Sequence, residues 1–386
     1  MSNILLLNKI AKVGTDIFDE KYNVSDNCEN PDAIMVRSAV MHDMELPASV
    51  KAIARAGAGV NNIPVEDCAK KGIVVFNTPG ANANGVKELA VAALLLASRN
   101  ITGGVEWVKT LAGQEDAAKV VEKNKSAFAG VEIAGKTLGI IGLGAIGGLV
   151  ANAAVALGMN VIGCDPYLTV EGAWGLSSEV KKAASYDEIF EKSDYISVHV
   201  PATKETKNMF CEESFAKMKD GVRIINLSRS ELVNSTDMIK AVADKKVAAY
   251  VTDFATPDII GVDNIIVIPH LGASTNESED NCAVMAAKQL VDYLENGNIV
   301  NSVNYPSVVL ERGGLSRCCV LHYNVPAVIS GVSSAFANAN INIEHFSNRS
   351  KGEFAYTIID FNTELPEKVL EDIKATDGVI AVNVIG

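Results

Sequence analysis

No run of basic residues, no C-x-x-C pair and no uninterrupted apolar stretch long enough to cross a bilayer occurs in these 386 residues, and each absence removes a class of function. A spanning helix needs about 20 consecutive apolar residues; the longest candidate, residues 89–97, falls well short. Nucleic acids and anionic lipid surfaces are held mainly by clustered Lys and Arg. Here 34 Lys+Arg stand against 47 Asp+Glu, a net charge of −13, so neither nucleic acid nor membrane is an expected partner. A small anionic substrate remains admissible wherever a few arginines gather. The seven cysteines are odd in number and scattered, which points to reduced, mostly buried thiols and to neither a disulfide framework nor a metal site. The short apolar stretch at residues 4–7 has no basic residue before it and no small-residue cleavage signature after it, so no signal peptide and a cytoplasmic chain are expected.

What is present reads as globular α/β. With 48% hydrophobic and 21% charged residues the chain lies far from the composition of disorder, and its length suggests two or three domains. Short β-branched runs at residues 4–7, 33–36, 51–54 and 73–76 precede a helical pattern at 84–99. A mixed-charge helical stretch fills 103–131, after which six strands follow at 137–141, 161–164, 195–198, 223–227, 248–252 and 265–268. Strands alternating with helices in this way indicate βαβ units and parallel sheets. A helix at 277–296 and a loop at 301–314 lead to a different pattern: strand 318–323, helix 326–339, strands 342–346 and 354–361, helix 366–375, strand 380–385. That order, βαββαβ, is ferredoxin-like.

The most specific local signal is Gly142-Leu-Gly144-Ala145-Ile146-Gly147, which closes an apolar strand and opens a helix. The first glycine makes the tight turn, the second admits a pyrophosphate to the backbone, and the third lets helix and sheet pack closely. The phosphates then meet the free N–H groups and the dipole at the helix N-terminus. Asp165, at the end of the next strand, is placed to accept hydrogen bonds from the adenosine ribose and to repel a 2′-phosphate, which favours NAD over NADP.

A nicotinamide cofactor implies hydride transfer, and oxidising an alcohol needs a base for the hydroxyl proton. Of the five histidines, His270 follows a strand end where open α/β sheets keep their ligands; on position alone a hydrogen-bonded structural residue fits it equally well. His199 also ends a strand, but Val200 and Pro201 after it suggest the wall of a cofactor pocket.

The stretches Gly142–Gly147, Asn226-Leu-Ser-Arg229 and Pro269-His-Leu-Gly-Ala-Ser-Thr275 resemble, in order and spacing, the D-isomer-specific 2-hydroxyacid dehydrogenase family, and the similarity runs essentially end to end. The resemblance implies a Rossmann-type NAD-binding domain, residues 99–282, inserted in a flavodoxin-like substrate-binding domain, residues 1–98 and 283–310. It implies NAD-dependent oxidation of 3-phospho-D-glycerate to 3-phosphohydroxypyruvate, the first step of L-serine synthesis, with other D-2-hydroxyacid oxidations or a non-catalytic NAD(H) sensor as the alternatives. Arg229 would orient the substrate carboxylate and carbonyl, and His270 would act as acid and base. Asp258 stands at the family's acidic position, with Pro257 before it where the family has Pro after; Asp253, which matches a strand-end Asp contacting the carboxamide, is the alternative partner for His270. By the same resemblance Thr206, Leu227, Ser228, Gly272 and Ala273 line the cofactor. Substrate contacts fall to Arg37 and Ser38 and to Arg55, Ala58, Gly59, Val60 and Asn61, although either arginine read singly fits a surface salt bridge as well.

The tail, residues 317–386, resembles an ACT domain, a small-molecule sensor. His322, Asn324 and Asn342 match its serine-binding positions, while Ala327 stands where the family has glycine. A serine effector and a homodimer or homotetramer are the partners this likeness implies.

Overall fold

The computed structural model describes residues 1–386, which fall into two compact units, Met1–Asn82 with Glu279–Gly386, and Ala83–Ser278.

The first unit is built on five strands, β1 (Ser2–Leu6), β2 (Tyr22–Ser25), β3 (Ala33–Val36), β4 (Ala52–Arg55) and β5 (Val74–Phe76), all parallel in the order β2-β1-β3-β4-β5. This is the flavodoxin-like order. Because successive side chains point to opposite faces, Ile34, Val36, Ile53 and Val75 pack with Met41, Val50, Ile63 and Cys68 on one side. Ala33, Met35, Ala52, Ala54 and Phe76 pack on the other against Ala283, Ala286, Ala287 and Leu290 of the long helix Asn276–Asn296. The short helix Lys12–Thr15 approaches the same long helix closely: a Cβ on Gly14 would meet that of Ala283 at 2.5 Å. β2 has no counterpart among the strands expected from sequence; its burial pattern, with only Tyr22 fully inside, gives an edge strand a weak signal.

The second unit carries β6 (Thr137–Ile141), β7 (Asn160–Cys164), β8 (Lys181–Lys182), β9 (Tyr195–Val198), β10 (Val222–Asn226), β11 (Val247–Thr252) and β12 (Ile265–Val267). They form one sheet in the order β12-β11-β10-β9-β6-β7-β8, the doubly wound arrangement of a dinucleotide-binding fold. Six of these strands correspond to the runs read from sequence; β8, two exposed lysines long, has no apolar signature. The units divide at 82/83 and 278/279, ahead of the sequence-based limits 98/99 and 282/283. The cause is the helix Ala83–Ser98, whose Val86, Ala90, Ala93, Leu94 and Ala97 share a core with Val150, Ala151 and Ala154 of the helix Ala145–Ala156.

The chain ends in β13 (Ser316–Tyr323), β14 (His345–Lys351), β15 (Phe354–Phe361) and β16 (Val379–Ile385), an antiparallel sheet in the order β14-β15-β13-β16. Helices Val328–Asn338 and Glu367–Lys374 cover one face through Val332, Phe336, Val369 and Ile373. β14 lies later than the expected 342–346, because it is a polar edge strand registered by the turn at Gly352 rather than by an apolar run. Cys319, Leu321, Tyr356 and Ile358 on the opposite face join the core of the first unit, so this βαββαβ region is packed into that core. Arg317 fixes the junction. Fully buried, it holds Asp360 at 2.6 and 2.8 Å and spends its remaining N–H groups on the carbonyls of Asn296, Leu310 and Glu311. A buried charge pair with every donor satisfied costs little to keep and several kcal/mol to break on one side. No helix is long and apolar enough to cross a membrane.

Candidate functional site

The candidate cofactor-binding residues gather where β6 ends. Gly142 has φ +88°, donates its N–H to the Cys164 carbonyl at 2.9 Å, and leaves no room for a Cβ, which would stand 2.6 Å from the His199 carbonyl oxygen. A Cβ on Gly147 would collide with the Gly142 carbonyl. At Gly144 a Cβ would meet nothing within 4 Å, so the loop is tight where backbone packs and open where a pyrophosphate would lie. Asp165 accepts the Leu143 and Tyr167 N–H groups, each at 2.8 Å, which holds its carboxylate at the loop with lone pairs left for ribose hydroxyls. A cleft of about 700 Å³ beside it is lined by Leu143, Pro166, Leu176, Val180 and Tyr186. These features fit a dinucleotide.

The other expected cofactor residues divide into those that face the site and those that shape it. His199 shares a hydrogen bond with Ser197 Oγ at 2.9 Å, its Nδ1 has no partner, and burial drives its pKa down to about 4, so the ring is neutral at physiological pH. Val200 packs against Gly142, and Ser228 Oγ donates to the Val198 carbonyl at 2.7 Å. Leu227 is buried in the core, and the Thr206 hydroxyl donates to the Pro201 carbonyl at 2.7 Å.

The candidate acid–base residues lie at the same sheet edge. Asn226, wholly buried, sets the turn after β10: its Oδ1 accepts the Ser228 N–H at 3.1 Å and its Nδ2 donates to the Arg229 carbonyl at 2.8 Å. The exposed Arg229 guanidinium then has no carboxylate partner and touches only the Ser228 carbonyl, at 2.6 Å. Asp253 follows β11, is 3% exposed, and leaves Oδ1 without a hydrogen bond. Burial raises its pKa, and the nearby His270 charge, the Gly272 amide and Arg229 pull it partly back. His270 stands edge-on to Phe254, centroids 5.3 Å apart, and a Cβ on Gly272 would lie 3.6 Å from Asp253 Oδ2. Arg229, Asp253 and His270 therefore form one electrostatic group.

Asp258 does not join it. Its carboxylate is exposed and makes no hydrogen bond, Thr256 Oγ1 having no partner, and the nearness of the Thr256 and Ser235 hydroxyls lowers its pKa from the usual carboxylate range. Of the two acids left open by the sequence, Asp253 is the buried one and the one on which the His270 charge acts, and neither is hydrogen-bonded to the imidazole.

In the first unit the two candidate substrate arginines stand side by side. Val36 and Arg55 are paired in register, and Arg37 comes one residue later. Asn8 Oδ1 accepts three successive N–H groups, from Arg37, Ser38 and Ala39, each at 3.0 Å, and so shapes the loop. Asn62 Oδ1 accepts Arg55 Nε at 3.2 Å while its Nδ2 donates to the Ala39 carbonyl at 2.7 Å. A Cβ at Gly57 would strike the Arg55 guanidinium, and Gly59 lies just beyond it. Arg55 has no carboxylate partner, and burial, with a further push from Arg37, lowers its pKa. Asn61 is exposed, with its backbone carbonyl accepting from His42 at 2.8 Å, while Asn62 is the amide that touches Arg55; Ala58 and Val60 line the loop without polar side chains. Asn8, Asn62 and the Arg37 partner Glu279 escape sequence reading, since only the fold brings residues 8, 37, 62 and 279 together.

In the C-terminal region His322 is buried. Its Nδ1 meets the Tyr323 carbonyl at 2.7 Å and its Nε2 the Thr357 hydroxyl at 3.0 Å. Asn324 donates to the Gly352 carbonyl at 3.2 Å and Asn342 to Glu344 at 3.0 Å. Ala327 enters the helix at φ +72°, a left-handed conformation.

Residues 91–272 match the family model described as D-isomer specific 2-hydroxyacid dehydrogenase, NAD binding domain. D-3-phosphoglycerate dehydrogenase 1 of Saccharomyces cerevisiae is 30% identical over 93% of this chain and 82% of its own. D-3-phosphoglycerate dehydrogenase of Archaeoglobus fulgidus is 37% identical over 72% of this chain and 52% of its own. Among solved structures, NAD+-bound 3-phosphoglycerate dehydrogenase of Entamoeba histolytica superposes with a TM-score of 0.59 at 28% identity, covering 78% of this chain and 98% of that one. The chain belongs to the D-isomer specific 2-hydroxyacid dehydrogenase family, and its second unit is that family's NAD-binding domain.

Proposed function

We infer that this chain oxidises 3-phospho-D-glycerate to 3-phosphohydroxypyruvate with NAD, the entry to L-serine. The observation that carries the choice of substrate is Arg55, a half-buried guanidinium without a carboxylate partner beside a second arginine. A cation desolvated in that way is stabilised by an anion, and the planar fork of Arg suits a phosphate. The 2-hydroxy acid named in the relatives carries such a phosphate at the end remote from its hydroxyl.

In this reading Arg37 and Arg55 hold the phosphate, with Ser38 and the backbone of residues 58–60 as further donors. Arg229 holds the carboxylate bidentately and polarises the C2 oxygen. His270 takes the hydroxyl proton as the C2 hydride departs with its electron pair, and the C–O bond becomes C=O. Asp253 steadies the imidazolium that results. NAD, when bound, supplies the hydride acceptor; Gly142, Gly144, Gly147 and Asp165 would hold its phosphates and ribose. Asp253 Oδ1 and His199 Nδ1, both without a partner, fit polar groups at the cofactor's nicotinamide half and wall.

The finer assignments follow the same reading. Seven unpaired cysteines fit a reducing cytoplasm. The exposed Ile101, Val105 and Val108 on the helix Ile101–Lys109 offer an apolar face for a second copy of the chain. Serine at His322, Asn324 and Asn342 would displace internal hydrogen bonds, which predicts weak inhibition at most. The test is a steady-state assay of NAD reduction with 3-phospho-D-glycerate and with D-glycerate, each with and without serine. Equal efficiency on both acids would refute the phosphate assignment.

A further inference from the structure

Arg37 and Arg55 differ in one respect: Arg55 has no acidic partner, whereas Arg37 Nη2 sits 2.6 Å from Glu279 Oε1. Glu279 stands in the early turns of the helix Asn276–Asn296, which runs under the sheet whose edge carries both arginines. The two side chains are 41% and 40% exposed, so the carboxylate has open space into which to retreat. The other titratable group at this position, the Cys282 thiol, is pushed up by burial and contributes no countercharge.

We propose that Glu279 is a displaceable counter-ion, a positioning residue that occupies Arg37 until a phosphorylated substrate takes its place. This rests on the reading of Arg37 and Arg55 as the phosphate site. Without a ligand, two adjacent guanidiniums repel, and Glu279 neutralises the more exposed one. A phosphate dianion brings more charge and more acceptor oxygens than a carboxylate, and it bridges both arginines, so it displaces Glu279 to water. A neutral hydroxymethyl group does neither and leaves the Arg37–Glu279 pair intact. Glu279 thus makes anionic charge the requirement for engaging Arg37, and it weakens every anion that competes with it.

Exchange of the carboxylate for an isosteric amide removes the competitor. With Glu279→Gln, KM for 3-phospho-D-glycerate is expected to fall about 3- to 10-fold, in line with a half-exposed charged pair. The inhibition constant of inorganic phosphate, competing with that substrate, should fall by a similar factor, and Glu279→Asp should stay close to wild type in both. A pair that served only to hold Arg37 in place would give the opposite signs, a higher KM and weaker phosphate inhibition. Unchanged or raised values in Glu279→Gln overturn the proposal. Arg55→Met separates the two levels: if it raises KM for the phosphorylated substrate while Glu279→Gln fails to lower it, the counter-ion role alone is wrong. If Arg55→Met leaves KM unchanged, the phosphate site itself is wrong.

Discussion

Two parallel sheets in one chain end in opposite chemistry. In the first unit the C-terminal edge of β3 and β4 carries paired arginines, shaped by asparagine side chains and tempered by a single carboxylate. In the second, the edge of β6, β11 and β12 carries a glycine turn, a buried acid with a raised pKa and an imidazole. The same architecture thus separates two tasks. In the proposed reading, fixed positive charge selects the ligand at one edge, and groups that exchange protons perform the reaction at the other.

That division predicts different kinetic signatures for the two edges. The largest effect belongs to His270→Ala, expected to lower kcat about 10²- to 10⁴-fold while NADH binding, followed by fluorescence titration, stays near wild type. Retained turnover would remove His270 from the reaction. Asp253→Asn should cost about 100-fold in kcat, the lower end of a general acid–base contribution, if it supports His270 as proposed. Asp258→Asn, at an exposed carboxylate, should cost less than about threefold. A reversed order would restore Asp258 as the imidazole's partner.

Asp253→Asn also carries a stability signature. Burial favours the protonated carboxyl in the folded state, so the charge is a penalty that grows as pH rises through the folded pKa. The variant should therefore melt above wild type at pH 8 and no higher than wild type at pH 3. Arg55→Met should raise KM for 3-phospho-D-glycerate about 10- to 100-fold, the value of a charged hydrogen-bonded pair, with kcat moving less. The smallest effects are structural. His199, with its pKa lowered from 6.5 to about 4, stays neutral when the unfolded chain begins to protonate. Its contribution is complete above about pH 6.5 and is lost as pH falls toward 4, so a His199→Gln variant should lose less stability than wild type across that window. Ala327→Gly relieves a left-handed alanine and should add about 1 kcal/mol in denaturant unfolding.

The two edges also differed in how far the sequence revealed them. The Gly142–Gly147 turn and Asp165 belong to one βαβ unit, so spacing alone locates them. His270 and Arg229 each follow an apolar strand. The sequence leaves Asp253 and Asp258 as equal candidates because both stand after β11; in the fold Asp253 is buried and Asp258 exposed. The arginine edge was half legible: Arg37 and Arg55 mark it, but Asn8, Asn62 and Glu279 come from three distant segments that no local period connects. The same limit explains β2 and β14, edge strands with little apolar alternation, and the fused C-terminal sheet. Its second buried face reads in sequence like any other strand, with Cys319, Leu321, Tyr356 and Ile358 giving no sign of what they cover.

The separation of tasks is tested most directly by the ratio of kcat/KM for 3-phospho-D-glycerate to that for D-glycerate, measured in wild type, Arg55→Met and Asp253→Asn. The ratio should be large in wild type, collapse at least tenfold in Arg55→Met, and survive in Asp253→Asn even as both rates fall. A wild-type ratio near one, or an equal collapse in both variants, would contradict it.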